Sequence, residues 1–428
     1  MTNLVSSATA RVRVPGVAIT AVAVVAVLFF FSGLVQYAFS TKLVSAPPTY
    51  FILPFLGTAA AVAMFRKPVK DSMGLALLIW AGIYIVISTV GVLIANDPQQ
   101  AGDLLRHRVL AVAFLFAMRV LCGSAAGFTW SLRAVALVEI VSIGLNVYEW
   151  FSPMSFSLVY GRGAGLYQNP NISGGAIVLG MLIGLAAVPR KLREAFILAA
   201  LGGVLLTVSR GALIGFVLAL GCLVYFGRSV SRSRLAVAAL VAVVAAAGLQ
   251  DWFTGGLDNV LSSQPELFRR LTIDGSVGEE NTESRLTLAA NGLTHFLAHP
   301  VTGAGLGATD WLQNSGTHNI YAMHLAEHGV FGLLFVPGLL LLLAVRAWTL
   351  RREPVLMAAV VFIASWGFFS HNILDEFHHL LVFALVLAPH SVVAQAWGSA
   401  AEPVRLRRYM RTTRVLMTPS MARTGGAA

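Results

Sequence analysis

The chain has 428 residues, of which 57% are hydrophobic and 11% charged, and its mean hydropathy is +0.77. This composition excludes an ordinary soluble domain and indicates a polytopic membrane protein. The formal charge of +11 does not require a nucleic-acid partner, because basic residues confined to one set of loops are what membrane insertion requires.

The N-terminal apolar run follows Arg11 and Arg13 and is about twenty residues long, close to the length needed to cross a bilayer. A signal peptide would begin in the same way, but no small-residue cleavage site is clear here. We therefore interpret this run as the first transmembrane helix.

Apolar runs long enough to span a membrane, or nearly so, recur along the chain. Closed hydrogen bonding in hydrocarbon favours helices, and the alternation of a β-barrel is absent, so the sequence predicts an all-α protein with about twelve transmembrane helices. The predicted runs are 17–37, 50–65, 73–95, 109–127, 132–151, 171–189, 194–209, 211–226, 234–249, 319–345, 354–374 and 377–395.

The charge distribution supports this count. With a cytoplasmic N-terminus, 22 of the 30 lysine and arginine residues fall on the cytoplasmic side. The resulting division is nine helices in 1–249, a periplasmic loop at 250–317, three helices in 318–395 and a basic cytoplasmic tail at 396–428. The tail is expected to lie near anionic lipid.

The predicted loop 250–317 contains eight acids and three arginines, so it is acidic in a basic protein. Within it, residues 281–284 suit a helix start, and apolar residues then recur at helical spacing until Pro300. We expect an amphipathic helix lying on the membrane, with Arg285 near its N-terminus. Gly303, Gly305 and Gly307 follow no strand, so a nucleotide-binding loop is rejected in favour of a tight turn.

Two arginines are candidates for binding an anion on the predicted outer side. Arg210 lies between two apolar runs with almost no loop, where an arginine usually has a partner or a task. The planar guanidinium of Arg210 or Arg285 suits a diphosphate. The alternatives are that Arg210 snorkels to the interface and that Arg285 is solvated and pairs with Glu280 or Glu283.

Histidines occur in two similar segments at the ends of apolar runs. His318-Asn319-Ile320 opens one apolar run, and His371-Asn372-Ile373 lies at the predicted outer end of another. The pKa of imidazole suits proton abstraction near neutrality, although a lone interfacial histidine is more often structural. A metal site within 371–379 is conceivable from the ligand types, but the spacing matches no established pattern.

The segment 160–171 leads into the predicted sixth helix. Asn169 and Asn171 either hydrogen-bond a sugar or cap that helix around Pro170, and Arg162 is a candidate third phosphate contact.

Together these motifs resemble the bacterial O-antigen ligase and polymerase superfamily. The resemblance rests on the arginine-to-asparagine segment 162–171, Ser209-Arg210-Gly211, Glu283-Ser284-Arg285, His299-Pro300, Gly303-Ala304-Gly305, and His318-Asn319 with Glu327, Gly329 and Gly332. It covers about 162–332, and the twelve-helix plan extends over nearly the whole chain.

The resemblance implies an enzyme of the bacterial inner membrane. Such an enzyme moves a glycan from an undecaprenyl diphosphate carrier to an acceptor hydroxyl on the periplasmic face, without a metal or nucleotide cofactor. Carried onto this sequence, Arg210 and Arg285 would bind the diphosphate and His318 would act as general base. Arg162, Asn169, Asn171, Asn319 and His371 are the predicted substrate contacts.

Three functions are compatible with these sequence features. A ligase joins finished glycan to a lipid A-core acceptor, whereas a polymerase extends the glycan on its carrier; the moderate loop and the His-Asn pair resemble a ligase. A transporter would also have many helices, but it usually carries acids or interrupted helices near the midplane. Here the polar candidates gather at one face.

Overall fold

The computed structural model describes residues 16–65, 71–226, 275–309, 317–350 and 353–398, with the backbone alone in 275–286 and 395–398. Every regular element in these stretches is helical, which confirms the predicted all-α class. The predicted helix 234–249 and residues 250–274 and 310–316 of the predicted loop lie outside the described residues, as do the basic N-terminus and nearly all of the predicted tail.

Fifteen α-helices occupy the described stretches, joined in places by single turns of 3-10 or π-helix. They are α1 (Gly16–Ala26), α2 (Leu34–Ser40), α3 (Leu53–Phe65), α4 (Ser72–Leu93), α5 (Pro98–Leu121), α6 (Ala125–Phe151), α7 (Pro170–Gly184), α8 (Arg193–Thr207), α9 (Arg210–Phe226), α10 (Gly275–Ala298), α11 (Ile320–His328), α12 (Val336–Thr349), α13 (Pro354–Trp366), α14 (Phe377–Val386) and α15 (His390–Gly398).

Several of these helices are those of a membrane protein. In the described part of the chain, four spans are long and apolar enough to cross a bilayer, and a bent pair makes a fifth if it is counted as one span. The four are Pro48–Phe65, Ser72–Leu93, Ala125–Phe151 and Ile320–Thr349. The predicted total of twelve therefore remains a prediction.

The first predicted run is broken rather than continuous. After α1 and a π-turn, Gly33 takes a left-handed conformation with φ of 74°, and α2 leaves at 51° to the preceding helix. A Cβ atom at Gly33 would lie 3.0 Å from the Tyr167 ring. Close packing at a glycine therefore bends the helix, a feature that hydropathy alone does not reveal.

Helix α5 begins eleven residues before the predicted run at 109. Asp97 caps it by accepting hydrogen bonds from the backbone N–H groups of Gln99 and Gln100, at 3.1 and 3.0 Å. The extra turns carry Arg108, which is 5% exposed, into the bundle. A buried arginine is tolerated there because it has partners on other helices.

Helix α7 is the central helix of the bundle and is buried along almost its whole length. Its glycines allow neighbours to approach closely: a Cβ atom at Gly174 would lie 2.8 Å from Ala212, and one at Gly175 would lie 2.9 Å from the Trp366 ring. Small residues of this kind are typical of helix packing in membranes. As a result α9 and α13 both pack against α7.

Segments predicted to lie on the cytoplasmic side meet at one end of the bundle. Arg119 pairs with Asp71 and donates to the carbonyl oxygen of Leu387 at 2.8 Å. Arg346 donates to the carbonyl oxygens of Val386 and Ala388. The sidedness of these segments remains a prediction.

Candidate active site

His318 lies at the junction that opens α11. Its φ of 50° is left-handed, and Asn319 then caps the helix by accepting hydrogen bonds from the N–H groups of Tyr321 and Ala322 at 3.0 and 3.1 Å. The conformation turns the chain sharply just before the helix begins. Asn319, a predicted substrate contact, thus has a structural role as the helix cap.

The second His-Asn segment packs directly against the first. The N–H group of Ile320 contacts the carbonyl oxygens of Gly367 and Ser370, both at 3.0 Å. The rings of His318 and His371 meet edge to face, with centroids 5.1 Å apart. Burial, together with the neighbouring His318, lowers the pKa of His371 to about 4. His371 is therefore neutral near pH 7.

Arg210 begins α9 at the same end of the bundle. Val208 ends α8 in a left-handed conformation, with φ of 50°, so the chain reverses within two residues and Arg210 stays exposed. A Cβ atom at Gly211 would lie 2.8 Å from Phe369, two residues before His371. Close packing at Gly211 therefore places the start of α9 beside the histidine pair.

The predicted contacts in 162–171 support the turn that carries Arg210. Arg162 is 8% exposed and donates to the Thr207 carbonyl oxygen at 2.8 Å and to Asn171 Oδ1 at 2.9 Å. Asn169 caps α7 by accepting from the N–H group of Asn171 at 2.9 Å. Arg162, Asn169 and Asn171 thus have structural partners next to Arg210.

Helix α10 lies beside the start of α11. A Cβ atom at Gly292 would be 3.1 Å from Thr317 and 3.4 Å from Ala322. Leu293 and Leu297 remain 48% and 68% exposed, as expected of a helix that lies on a membrane. Arg285 is seven positions before Gly292, about 10 Å along the helix axis; its side chain is outside the described residues.

The glycines after Pro300 form a tight turn, as predicted, and the turn docks on the end of α11. Gly303, Gly305 and Gly307 all have positive φ, at 71°, 100° and 81°. Backbone hydrogen bonds join Ala304 to Ala326 at 2.8 Å and Val330 to Pro300 at 2.8 Å. The turn therefore fixes the C-terminal end of α10 to α11.

A buried polar cluster beneath this turn was not predicted from the sequence. Arg108 donates to Glu327 Oε2 at 2.7 Å and to Ser88 Oγ at 3.0 Å, and its Nη1 lies 2.8 Å from His328 Nε2. Glu327 Oε1 accepts from the N–H group of Gly307 at 3.0 Å. Arg108 and Glu327 are 219 positions apart, so no local pattern signals the pair.

Among the described residues, one group of side chains in this cluster is close enough together to hold a metal ion. The potential ligand atoms of His324, Glu327 and His328 lie within 4.8 Å of one another. The group does not fit a cation, because the guanidinium of Arg108 already contacts Glu327 and His328 and would repel one. The metal alternative within 371–379 forms no such group among the described residues.

A cleft of about 1150 Å³ lies between the predicted outer segments. It runs from exposed residues at the start of α5 down to buried Arg108, Glu327 and His378. His371 lines its wall, and the contact between His371 and His318 places the cleft next to the His318 junction. The cleft therefore adjoins the His318 junction.

A comparison with protein families finds a match to the family described as O-antigen ligase, over residues 195–336. This region covers 142 of the 428 residues and includes Arg210, Arg285 and His318. His371 and the segment 162–171 lie outside it. A search of curated proteins finds no match to this chain. The match, with the membrane-type helices, supports placing this chain in the O-antigen ligase superfamily.

Proposed function

We propose that this protein is a glycosyltransferase of the O-antigen ligase type. It transfers a glycan from undecaprenyl diphosphate to a hydroxyl group of a lipid A-core acceptor, on the periplasmic face of the bacterial inner membrane. The observation that supports this most is the convergence of α9, α10 and α11 at one end of the bundle, through contacts at Gly211, Gly292 and His371.

The reaction is a displacement at the anomeric carbon of the donor sugar. The acceptor oxygen forms a bond to this carbon while the bond from the carbon to the phosphate oxygen breaks. The acceptor proton passes to the imidazole of His318, which acts as general base. Undecaprenyl diphosphate leaves, and attack from the opposite face inverts the configuration.

Arg210 and Arg285 supply the positive charge in this step. The leaving diphosphate gains negative charge as the bond breaks, and fixed guanidinium groups stabilise that charge. Arg162 and Asn171 act indirectly, because their hydrogen bonds hold the end of α8 next to Arg210. His371 packs against His318 and limits the orientation of that ring.

Reconstituted protein tests the assignment. Proteoliposomes receive a carrier-linked glycan and a lipid A-core acceptor, and the release of undecaprenyl diphosphate and the glycosylated acceptor are measured. We expect His318→Ala to abolish turnover while donor binding is retained, and Arg210→Ala and Arg285→Ala to weaken donor binding as well.

Arg133→Gln is the matched control. Arg133 stacks on Trp130, with its guanidinium carbon 4.7 Å from the ring centroid, in a segment predicted to be cytoplasmic. Its loss should leave both donor binding and turnover unchanged. Unchanged turnover in His318→Ala would remove His318 as the base, and unchanged donor binding in both arginine variants would remove the diphosphate site.

The family match does not distinguish a ligase from the alternative function, a polymerase that uses the same lipid-linked donor. Deletion in cells distinguishes them. Loss of a ligase leaves polymerised carrier-linked glycan and bare core lipid, whereas loss of a polymerase leaves single repeat units on the core. Uptake of a solute by proteoliposomes, without consumption of donor, would support a transporter instead.

A further inference from the structure

The cleft offers a second substrate site, separate from the predicted diphosphate site. His371 lines the cleft and contacts His318, whereas Arg210 is not among the described residues that line it. A ligand in the cleft would therefore approach His318 from the side of His371. This is the place that an acceptor needs if the donor diphosphate is held by Arg210 and Arg285.

The charge of the cleft lining is unbalanced. Its carboxylates outnumber its guanidinium groups by five to two. The carboxylates are Asp97, Asp103, Glu327, Asp375 and Glu376, and the arginines are Arg106 and Arg108. Each arginine is paired with one carboxylate, Arg106 with Asp103 at 3.4 Å and Arg108 with Glu327 at 2.7 Å.

The adjacent carboxyl groups of Asp375 and Glu376 lie in surroundings that disfavour negative charge. Burial, with repulsion from Asp375, raises the pKa of Glu376 to about 7. The pKa of Asp375 is also raised, chiefly by burial, although Arg108 and His107 oppose the shift. A site that already disfavours its own negative charges would also disfavour an incoming phosphate group.

The rest of the polar lining suits hydroxyl groups. Six side-chain amides line the cleft, and each both donates and accepts hydrogen bonds. They are Gln36, Gln99, Gln100, Gln168, Asn169 and Asn372. At the buried end, His378 is 2% exposed, and its Nε2 atom has no hydrogen-bond partner among the described residues.

The aromatic lining completes a site for a sugar ring. Phe29, Phe30, Phe39 and Phe377 line the cleft, with Tyr167. Aromatic faces beside hydrogen-bonding side chains suit a small polar molecule with a ring.

We propose that this cleft binds the acceptor glycan and selects a sugar unit that carries neither phosphate nor carboxylate. This inference rests on the proposed function and defines the acceptor more closely. The hydroxyl group that attacks the donor belongs to an uncharged, hydroxyl-rich sugar, presented past His371 to His318. The diphosphate of the donor stays outside the cleft.

Binding of two matched probes to the full-length protein in nanodiscs tests this selection. One probe is an alkyl glycoside with a neutral disaccharide, and the other is the same molecule with a phosphate on one hydroxyl. We expect the neutral probe to bind at least about tenfold more tightly, a ratio that corresponds to about 1.4 kcal/mol. In Asp375→Asn/Glu376→Gln the ratio should fall at least about threefold, because the repulsive charges are removed.

Glu194→Gln is the control for charge removal, since Glu194 opens α8 next to a segment predicted to be cytoplasmic. It should leave the ratio unchanged. Equal or tighter binding of the phosphorylated probe, an unchanged ratio in the double variant, or no binding of either probe would overturn the proposal.

Transfer assays with the same probes separate this inference from the proposed function. If the neutral probe is preferred in binding but no glycan is transferred to any acceptor, the enzymatic function fails while the selectivity of the cleft stands. If transfer proceeds equally to both probes, the function stands and the selectivity fails.

Discussion

Glu327→Gln and Arg108→Met test whether the buried cluster stabilises the fold as an ion pair. The side chain of Glu327 is 2% exposed and that of Arg108 is 6% exposed, and Arg108 Nη2 lies 2.7 Å from Glu327 Oε2. Glutamine keeps an oxygen that can accept from the N–H group of Gly307, so this variant changes the charge with little loss of shape. It leaves Arg108 in the bundle without its carboxylate.

The expected loss follows from that geometry. Removal of one partner from a buried ion pair costs about 3–5 kcal/mol, because the remaining charge is left without compensation. Each single variant should therefore lose about 3 kcal/mol or more in free energy of unfolding. In Arg108→Met/Glu327→Gln neither charge remains, so the double variant should be more stable than the sum of the single losses predicts, by about 2 kcal/mol or more.

Arg106 and Asp103 provide a control pair on the same helix. Their charged atoms are 3.4 Å apart, but the side chains are 72% and 65% exposed. Solvent screens such a pair, so Arg106→Gln and Asp103→Asn should each change stability by less than about 1 kcal/mol.

Chemical unfolding of detergent-solubilised protein, followed by tryptophan fluorescence, measures the stability of the wild type, the single variants and the double variant. Single-variant losses below about 1 kcal/mol, or strictly additive losses in the double variant, would contradict the argument that Arg108 and Glu327 stabilise the fold by compensating each other.

Two further predictions concern the turn and the cleft. Gly303→Ala should strongly destabilise the protein in thermal unfolding, because the new Cβ atom would lie 2.3 Å from the Glu327 backbone at a φ of 71°; a melting temperature equal to that of the wild type would refute this contact. Glu376→Gln should remove a pH dependence of stability. Because folding raises the pKa of this carboxyl from 4.5 to about 7, the wild type should lose stability relative to the variant as pH rises between these values, and a flat difference in melting temperature from pH 4.5 to 8 would contradict it.

Features that depend on short stretches of chain were predictable. The apolar runs predicted an all-helical membrane protein, because each helix satisfies its own backbone hydrogen bonds in hydrocarbon. The turn after Pro300 was predicted because glycine adopts positive φ without strain, and the structure places Gly303, Gly305 and Gly307 there. The family was predicted from Arg210, Arg285 and His318 with the other motifs, and the match over 195–336 supports it.

The boundaries of helices were less predictable where packing decides them. The run 319–345 is divided after His328, because Gly329 has a φ of 59° and Gly332 packs against the His324 backbone. Hydropathy averaged over the run does not register this break, because apolar residues outnumber the polar His324, Glu327 and His328.

The sequence by itself determined that this chain forms membrane helices, because hydropathy is a property of each segment. From its charges it also predicted that the basic loops lie on one side, and the histidines and candidate arginines on the other. Only the tertiary structure decided which distant groups meet. Arg108 reaches Glu327 across 219 positions, and His371 meets His318 through the contact of Ile320 with Ser370. Such partners depend on how helices pack, and many packings are compatible with the same pattern of apolar residues.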